Sequence, residues 1–201
     1  MTFPSLILAS RSPQRAQLLS QMGFRFTVLP VETDETISPN HSPEEAVKDI
    51  AERKATDWLK VYGEDHSHSA DFLLTADTIV VCQHRIMGKP ADRKEARAFL
   101  DLLAGNIHTV YTGVYLLPLS DTSILAEPQS FFDSSEVELL ALNEQQKEAY
   151  LNHEEWQEAA GGYRIQGLGG ALVKRISGSY PTVMGLPIHR IYGIVAQCIL
   201  P

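Results

Sequence analysis

Apolar and polar residues alternate along this chain in two rhythms, and the rhythm switches often. Leu6-Ile7-Leu8-Ala9 is an uninterrupted apolar run, the mark of a strand buried on both faces. Pro13–Met22 carries helical spacing, with Gly23 as its stop. Phe24–Leu29 predicts a second strand that leads into an acidic loop, Glu32-Thr33-Asp34-Glu35. Ser42-Pro43-Glu44-Glu45 combines a cap, a first-position proline and a capping-box glutamate. The helix behind it is expected to run to about Val61, with Val47, Ile50, Ala51, Ala55 and Trp58 on one face. A polar loop, Gly63–Ala70, containing His66 and His68, separates this first third from the next strand.

Phe72–Ala76 and Ile79–Cys82 predict two short strands with Asp77-Thr78 between them. Asp92–Leu103 predicts a helix with a cap (Asp92, Glu95), closed by Gly105. Val110–Leu117 and Phe131–Leu140 follow as strands, and Asn143–Asn152 as a polar-faced helix. Gly161–Gly170 is glycine-rich, Ala171–Ile176 is strand-like, and Ile188–Leu200 reads as a closing amphipathic helix through Ile191, Ile194, Val195 and Cys198. Neither a repeat nor a low-complexity tract interrupts the alternation. The pattern predicts an α/β chain of two lobes sharing a cleft, with no separable linker, so that residues 1–201 form a single domain.

Chemistry enters at the first strand–helix junction, Ser10-Arg11-Ser12-Pro13-Gln14-Arg15. The first N–H groups of a helix lack intrahelical partners, and the helix dipole adds partial positive charge there. Ser12 suits the cap, Pro13 the first helical position, and Arg15 offers a planar cation matched to phosphate oxygens. A hydroxyl-rich, basic turn at a helix start predicts a phosphate-bearing ligand.

Bulk properties narrow the setting. With 201 residues, a formal net charge of −8 and 44% hydrophobic residues, the chain is an ordinary globular one. The negative charge argues against nucleic acid or an acidic membrane as partner, so an anion site has to be local. Cys82 and Cys198 are too few for a disulfide framework and lack metal-ligand spacing, which favours a reduced, cytoplasmic setting. No signal-peptide pattern precedes the first strand, and no apolar run approaches the roughly 20 residues of a membrane span.

Four residues fall out of pattern. Lys54 sits on the apolar stripe of the second helix, where an ammonium either snorkels at the rim or points into a cleft toward an anion; the phosphate turn favours the second. Asp77 interrupts apolar strand sequence, either as a turn aspartate bonded to backbone N–H groups or as a carboxylate facing a cleft. Lys89, in Gly88-Lys89-Pro90, is either surface filler or a second cation on a turn. Glu35 belongs either to a solvated loop or, with Asp77, to a Mg²⁺ site completed by phosphate oxygens and water. The segment 161–170 holds five of the chain's 13 glycines and fits neither a Walker A nor a dinucleotide fingerprint. Tight turns account for it, yet Tyr163 and Gln166 also offer a stacking face and a bidentate amide for a base. No histidine has ligand spacing, and no nucleophile elbow supports a Ser-His-Asp triad.

Taken together, these stretches resemble the Maf family of nucleoside triphosphate pyrophosphatases. The resemblance rests on Leu-Ala-Ser-x-Ser-Pro-x-Arg at Leu8–Arg15, Asp34-Glu35, Ala51-x-x-Lys54-Ala55, Ala76-Asp77-Thr78, Gly88-Lys89-Pro90, Tyr111-Thr112-Gly113, Ile165-Gln166-Gly167, and Gly178-Ser179-Tyr180 followed by Gly185-Leu186-Pro187. It implies a mixed, twisted α/β sheet in two lobes around a nucleotide cleft, related to the inosine-triphosphate pyrophosphatases and often a homodimer. It also implies hydrolysis of a nucleoside triphosphate to monophosphate and pyrophosphate with a divalent metal, Mg²⁺ or Mn²⁺. Transferred by position, Ser10, Arg15, Lys54 and Lys89 bind phosphates, while Glu35 and Asp77 hold the metal or the attacking water, with Asp77 as general base.

For the base, the family's dTTP/UTP branch carries Arg, Thr and Gln at three selectivity positions, and its 7-methyl-GTP branch Trp, Gln and Glu. This chain has Gln14, Thr78 and Gln166 there, so two of the three match the pyrimidine branch and Gln14 matches neither. Ala159-Ala160 also stands where that branch often has a lysine. Alternative readings are a 7-methyl-GTP pyrophosphatase, an interaction protein of the kind the family's association with septum arrest suggests, and a nucleotidyl- or sugar-nucleotide transferase. Against a pure scaffold stands the full set of Glu35, Lys54, Asp77 and Lys89, which a non-catalytic protein has no physical need for.

Overall fold

The computed structural model describes residues 3–64, 70–119 and 127–198. His66 and His68, and the last residues of the expected closing helix, lie outside that range. Strands β1 (Ser5–Leu8), β2 (Arg25–Val28), β3 (Phe72–Cys82), β4 (Arg85–Met87), β5 (Ile107–Pro118), β6 (Gln129–Leu139) and β7 (Val173–Ser177) alternate with helices. The helices are α1 (Pro13–Gln21), α2 (Pro43–Tyr62), α3 (Arg93–Leu103), α4 (Glu144–Asn152), α5 (Tyr180–Val183) and α6 (Ile188–Val195). The strands are hydrogen-bonded in the order β2-β1-β3-β5-β6-β7, with β4 paired to β3. β1 runs parallel to β2 and β3, whereas β4 and β7 run antiparallel to β3 and β6. The sheet is therefore mixed, as expected.

Local chemistry explains the element boundaries. Ser12 and Asp92 cap α1 and α3, and full capping boxes, Ser42/Glu45 and Asn143/Gln146, open α2 and α4. Gly23 and Gly105 follow the first and third helices with φ of 76° and 73°, a conformation costly for any residue with a Cβ.

Three sequence expectations change. The two short strands around Asp77 are one strand of 11 residues, β3, that passes straight through it. The carboxylate that suggested a turn is tolerated mid-strand because a buried cation neutralises it. The closing helix ends at Val195 and tightens into a 3₁₀ turn, Ala196–Cys198. Two further 3₁₀ turns, Ala160–Gly162 and Leu168–Leu172, occupy the glycine-rich region, so β7 begins at Val173 rather than Ala171.

The chain forms two compact units, neither of them a continuous stretch. The first comprises residues 1–77, 112–133 and 185–201, and the second 78–111 and 134–184. Three of the four crossings fall inside β3, β5 and β6, so strand backbone rather than a linker carries the chain across. In the first unit, Ile7, Ala9, Ala55, Trp58 and Leu73 form a buried cluster flanked by Leu29, Val31 and Tyr115. In the second, Met87, Leu100, Leu103 and Tyr150 are almost completely buried. No helix among the described residues is long and apolar enough to cross a membrane.

One contact in the first unit governs how closely α2 approaches the sheet. At Gly113 of β5, an added Cβ would lie 2.3 Å from the carbonyl carbon and oxygen of Val47 in α2. Backbone packs directly on backbone there, and nothing can rotate out of the way. Gly113→Ala should therefore destabilise the protein by about 3 kcal/mol, at the upper end of overpacking costs, in chemical denaturation. Unchanged stability would mean that the helix is free to move off β5.

Candidate active site

The turn after β1 is built around Ser10. Its Oγ accepts from Ser12 N at 3.2 Å and from Arg15 Nη1 at 3.1 Å. Ser12 Oγ accepts from Arg15 N and donates to the amide oxygen of Gln14 at 2.9 Å, so Gln14 is tied into the cap. Arg15 is buried on α1, and its Nε donates to the carbonyl of Gly185 at 2.9 Å. Burial lowers the pKa of its guanidinium, and the nearby charges of Asp77 and Glu35 oppose that shift. Arg11 behaves differently: it pairs with Glu32 at 2.7 Å on the surface, both side chains exposed, a contact of little energetic weight.

Lys54 joins this group from α2. Its Nζ donates to Asp77 Oδ1 at 2.7 Å and to the carbonyl of Ala76 at 3.3 Å, and it pairs with Glu35 Oε1 at 2.7 Å. Lys54 and Asp77 are each only 8% exposed, so Lys54 does not snorkel to the rim, and Asp77 lies within a strand rather than in a turn. Periodicity explains the meeting. Thr75 and Asp77 are two apart on β3 and share a face, while Ala51 and Lys54 are three apart on α2 and share a side. Thr75 Oγ1 donates to the Ala51 carbonyl at 2.6 Å, one step along from the Lys54–Asp77 contact. Glu35 reaches the same ammonium from the loop after β2 and is more open, at 44% side-chain exposure.

Ser10, Arg15, Glu35, Lys54 and Asp77 thus gather in the first unit. Two of them are carboxylates whose nearest oxygens touch a single atom, Lys54 Nζ, so they are close enough to share one cation. Mg²⁺ and Mn²⁺ take hard oxygen donors and commonly use one or two protein carboxylates, with phosphate oxygens and water completing the shell. The donor set fits such an ion. Among the described residues, no group of three or more His, Cys, Asp or Glu side chains forms an all-protein metal cage.

Thr78, Lys89 and Gln166 belong to the second unit. Thr78 follows Asp77 in β3 and is half-buried. Lys89, on the turn after β4, lies 3.3 Å from Glu158 with both side chains exposed. Gln166 is half-buried in the glycine-rich region. That region is fastened at several points that the sequence pattern did not single out. Gly161, at φ 70°, donates its N–H to the Gly88 carbonyl, and a Cβ there would lie 2.8 Å from a Val80 methyl. Glu155 accepts from the N–H groups of Leu168 and Gly169 at 2.9 and 3.1 Å. Tyr163 is buried rather than offered as a stacking face, and its hydroxyl lies 2.8 Å from His108 Nε2. A signal for Glu155 was absent because its partners are backbone N–H groups, which any sequence supplies. His108 carries no local signal either, since its partner lies 55 residues away.

A family model described as Maf-like protein matches residues 5–198. A dTTP/UTP pyrophosphatase of Halalkalibacterium halodurans is 44% identical over 185 residues, 92% of this chain and 91% of that protein. Proteins of the same name from Bacillus cereus and Lachnoclostridium phytofermentans are 39% and 38% identical, over 92% and 93% of this chain and 91% of each relative. Among solved structures, a HAM1 protein from Coxiella burnetii aligns with 98% of this chain and 100% of its own at 14% identity, with a TM-score of 0.46.

Two stability measurements probe these contacts. Lys54→Met should cost about 3–5 kcal/mol, since it leaves Asp77 charged and buried without its partner. Adding Asp77→Asn to that variant should recover part of the loss, and a double variant no more stable than Lys54→Met would show that the pair is not coupled. The second concerns His108, whose pKa burial draws down from 6.5 to about 4. Between those values the unfolded chain binds more protons, so the stability this group permits is intact above about pH 6.5 and lost as pH falls toward about 4. Denaturation at pH 7 and pH 4 should show the wild type losing about 3 kcal/mol more than His108→Gln. Equal losses would mean that His108 titrates as it does in the unfolded chain.

Proposed function

The chain belongs to the Maf family, and from that premise we propose that it hydrolyses dTTP and UTP to the nucleoside monophosphate and pyrophosphate. The observation that carries the reading is the buried Lys54 ammonium between Asp77 and Glu35, beside the Ser10–Arg15 turn. Relatives named dTTP/UTP pyrophosphatase, similar over nine-tenths of their length, support the substrate class.

In this reading the Asp77 carboxylate accepts a proton from a water that attacks the α-phosphorus. A new P–O bond forms to that water, the α–β bridging bond breaks, and its electron pair leaves with pyrophosphate. A general base has to lie within about 3 Å of the water's proton, and a carboxylate held rigidly by Lys54 meets that need without a search through rotamers. Lys54 and Arg15 help offset the negative charge that builds on the phosphate oxygens, and the N-terminus of α1 adds its partial positive charge at the same turn. Glu35 and Asp77 would hold Mg²⁺ or Mn²⁺, which when bound polarises the phosphate oxygens and lowers the pKa of a coordinated water. Thr78, Lys89, Gln166 and Gln14 enter the proposal on the family resemblance: Lys89 as a phosphate ligand, the other three as contacts that select the base.

The test is turnover by the purified protein with Mg²⁺ or Mn²⁺ against canonical and modified triphosphates, scored for pyrophosphate and for inorganic phosphate. dTTP and UTP should give pyrophosphate and monophosphate, and Asp77→Asn should lose at least 100-fold in rate while still binding nucleotide, as expected on removing a general base. A strong preference for 7-methyl-GTP would overturn the pyrimidine assignment. Binding of nucleotide without pyrophosphate release from any triphosphate would replace hydrolysis with a binding role.

A further inference from the structure

We propose that Arg53 is a positioning residue that holds Glu35 in the geometry the reaction needs, by gripping the backbone on both sides of it. The proposal rests on the hydrolytic reading above for its consequence, but not for its geometry. Arg53 Nη1 donates to the carbonyl of Asp34, and Nη2 donates to the carbonyl of Thr36 at 2.8 Å. The residue between those carbonyls is Glu35. One guanidinium therefore brackets one carboxylate-bearing residue, and the next residue on the same helix, Lys54, takes the carboxylate itself.

Two further contacts make this a built arrangement. Asp34 Oδ1 accepts from the N–H of Thr36 at 2.9 Å and from its hydroxyl at 2.6 Å, which closes a tight turn across Glu35. Those bonds hold the Asp34 carboxyl below the usual carboxylate range. On the helix side, Asp49 pairs with Arg53 Nη2 at 3.0 Å, one turn earlier, and orients the fork toward the loop. The clamp matters because Glu35 has no secondary structure of its own to hold it. Asp77 is fixed by strand pairing, whereas residues 29–42 contain no helix or strand. A carboxylate on a free loop would spend much of its time elsewhere, and its contribution to a shared cation would fall accordingly.

The chemistry requires arginine rather than any cation. Two carbonyls that flank a residue point in different directions, and a planar fork with two separate Nη groups reaches both, whereas a lysine ammonium is a single point charge. Arg53→Lys keeps the charge and the Asp49 pairing but removes the bracket, so it should behave like Arg53→Met.

The experiment has two arms on the full-length protein. In the first, hydrogen exchange of the substrate-free protein should show amides 34–36 exchanging at least tenfold faster in both Arg53→Met and Arg53→Lys, with α2 itself unchanged. In the second, the Mn²⁺ concentration for half-maximal pyrophosphate release should rise about tenfold in both variants, with the rate at saturating Mn²⁺ falling less than threefold. Glu35→Gln should raise the Mn²⁺ requirement likewise, and Arg53→Met added to it should produce no further rise. Unchanged exchange at 34–36, or a full further rise on top of Glu35→Gln, would overturn the proposal. Faster exchange in a protein that releases no pyrophosphate from any triphosphate would keep the clamp and refute the hydrolytic reading.

Discussion

A buried ammonium shared by two carboxylates sets the terms for the first unit. Lys54 is taken out of water on the apolar face of α2, a costly placement unless the charge is matched at close range. Asp77 and Glu35 match it, each at 2.7 Å, and Arg15 lies close enough to feel both carboxylates. Two cations and two carboxylates leave the cluster near neutral. A triphosphate would add more negative charge than Lys54 and Arg15, partly matched by the carboxylates, offset by themselves. That imbalance is the electrostatic argument for a divalent cation in the proposed reaction, independent of family resemblance.

The same cluster depends on a short distance between helix and strand. Lysine reaches Asp77 because α2 lies flat against the sheet, and it lies flat because β5 offers Gly113 where Val47 passes. The Thr75 hydroxyl bonded to the Ala51 carbonyl fixes the same approach one step along the strand. Rigidity is unequal across the site. Asp77 is anchored by its strand, Lys54 by its helix, and Arg15 by Ser10 and the Gly185 carbonyl. Glu35 is the one carboxylate of the site on irregular backbone, which is where a clamp is of use.

Much of this was legible in the residues. Strand and helix positions follow from apolar rhythm, and caps at Ser12, Ser42, Asp92 and Asn143 stand where the helices begin. Lys54 was conspicuous as a cation on an apolar stripe, and Asp77 as a carboxylate in strand sequence. Each also admitted a bland reading, a snorkelling lysine and a turn aspartate, because a single residue does not reveal its partner. Tyr163 misled in the other direction: an aromatic among glycines suggested a platform for a base, and the fold buries it against His108.

What the sequence determined by itself is therefore the place of most strands and helices, the residue types available for phosphate chemistry, and the family to which their order points. Periodicity and capping are local, acting over a few residues, and local physics is written in local sequence. Only the tertiary structure decided that Lys54 and Asp77 neutralise each other across 23 residues, that β3 runs unbroken through the carboxylate, and that Arg53 brackets Glu35 through its backbone. Such contacts depend on charge burial and on carbonyl groups common to every residue. Their energies exist only once distant segments have packed.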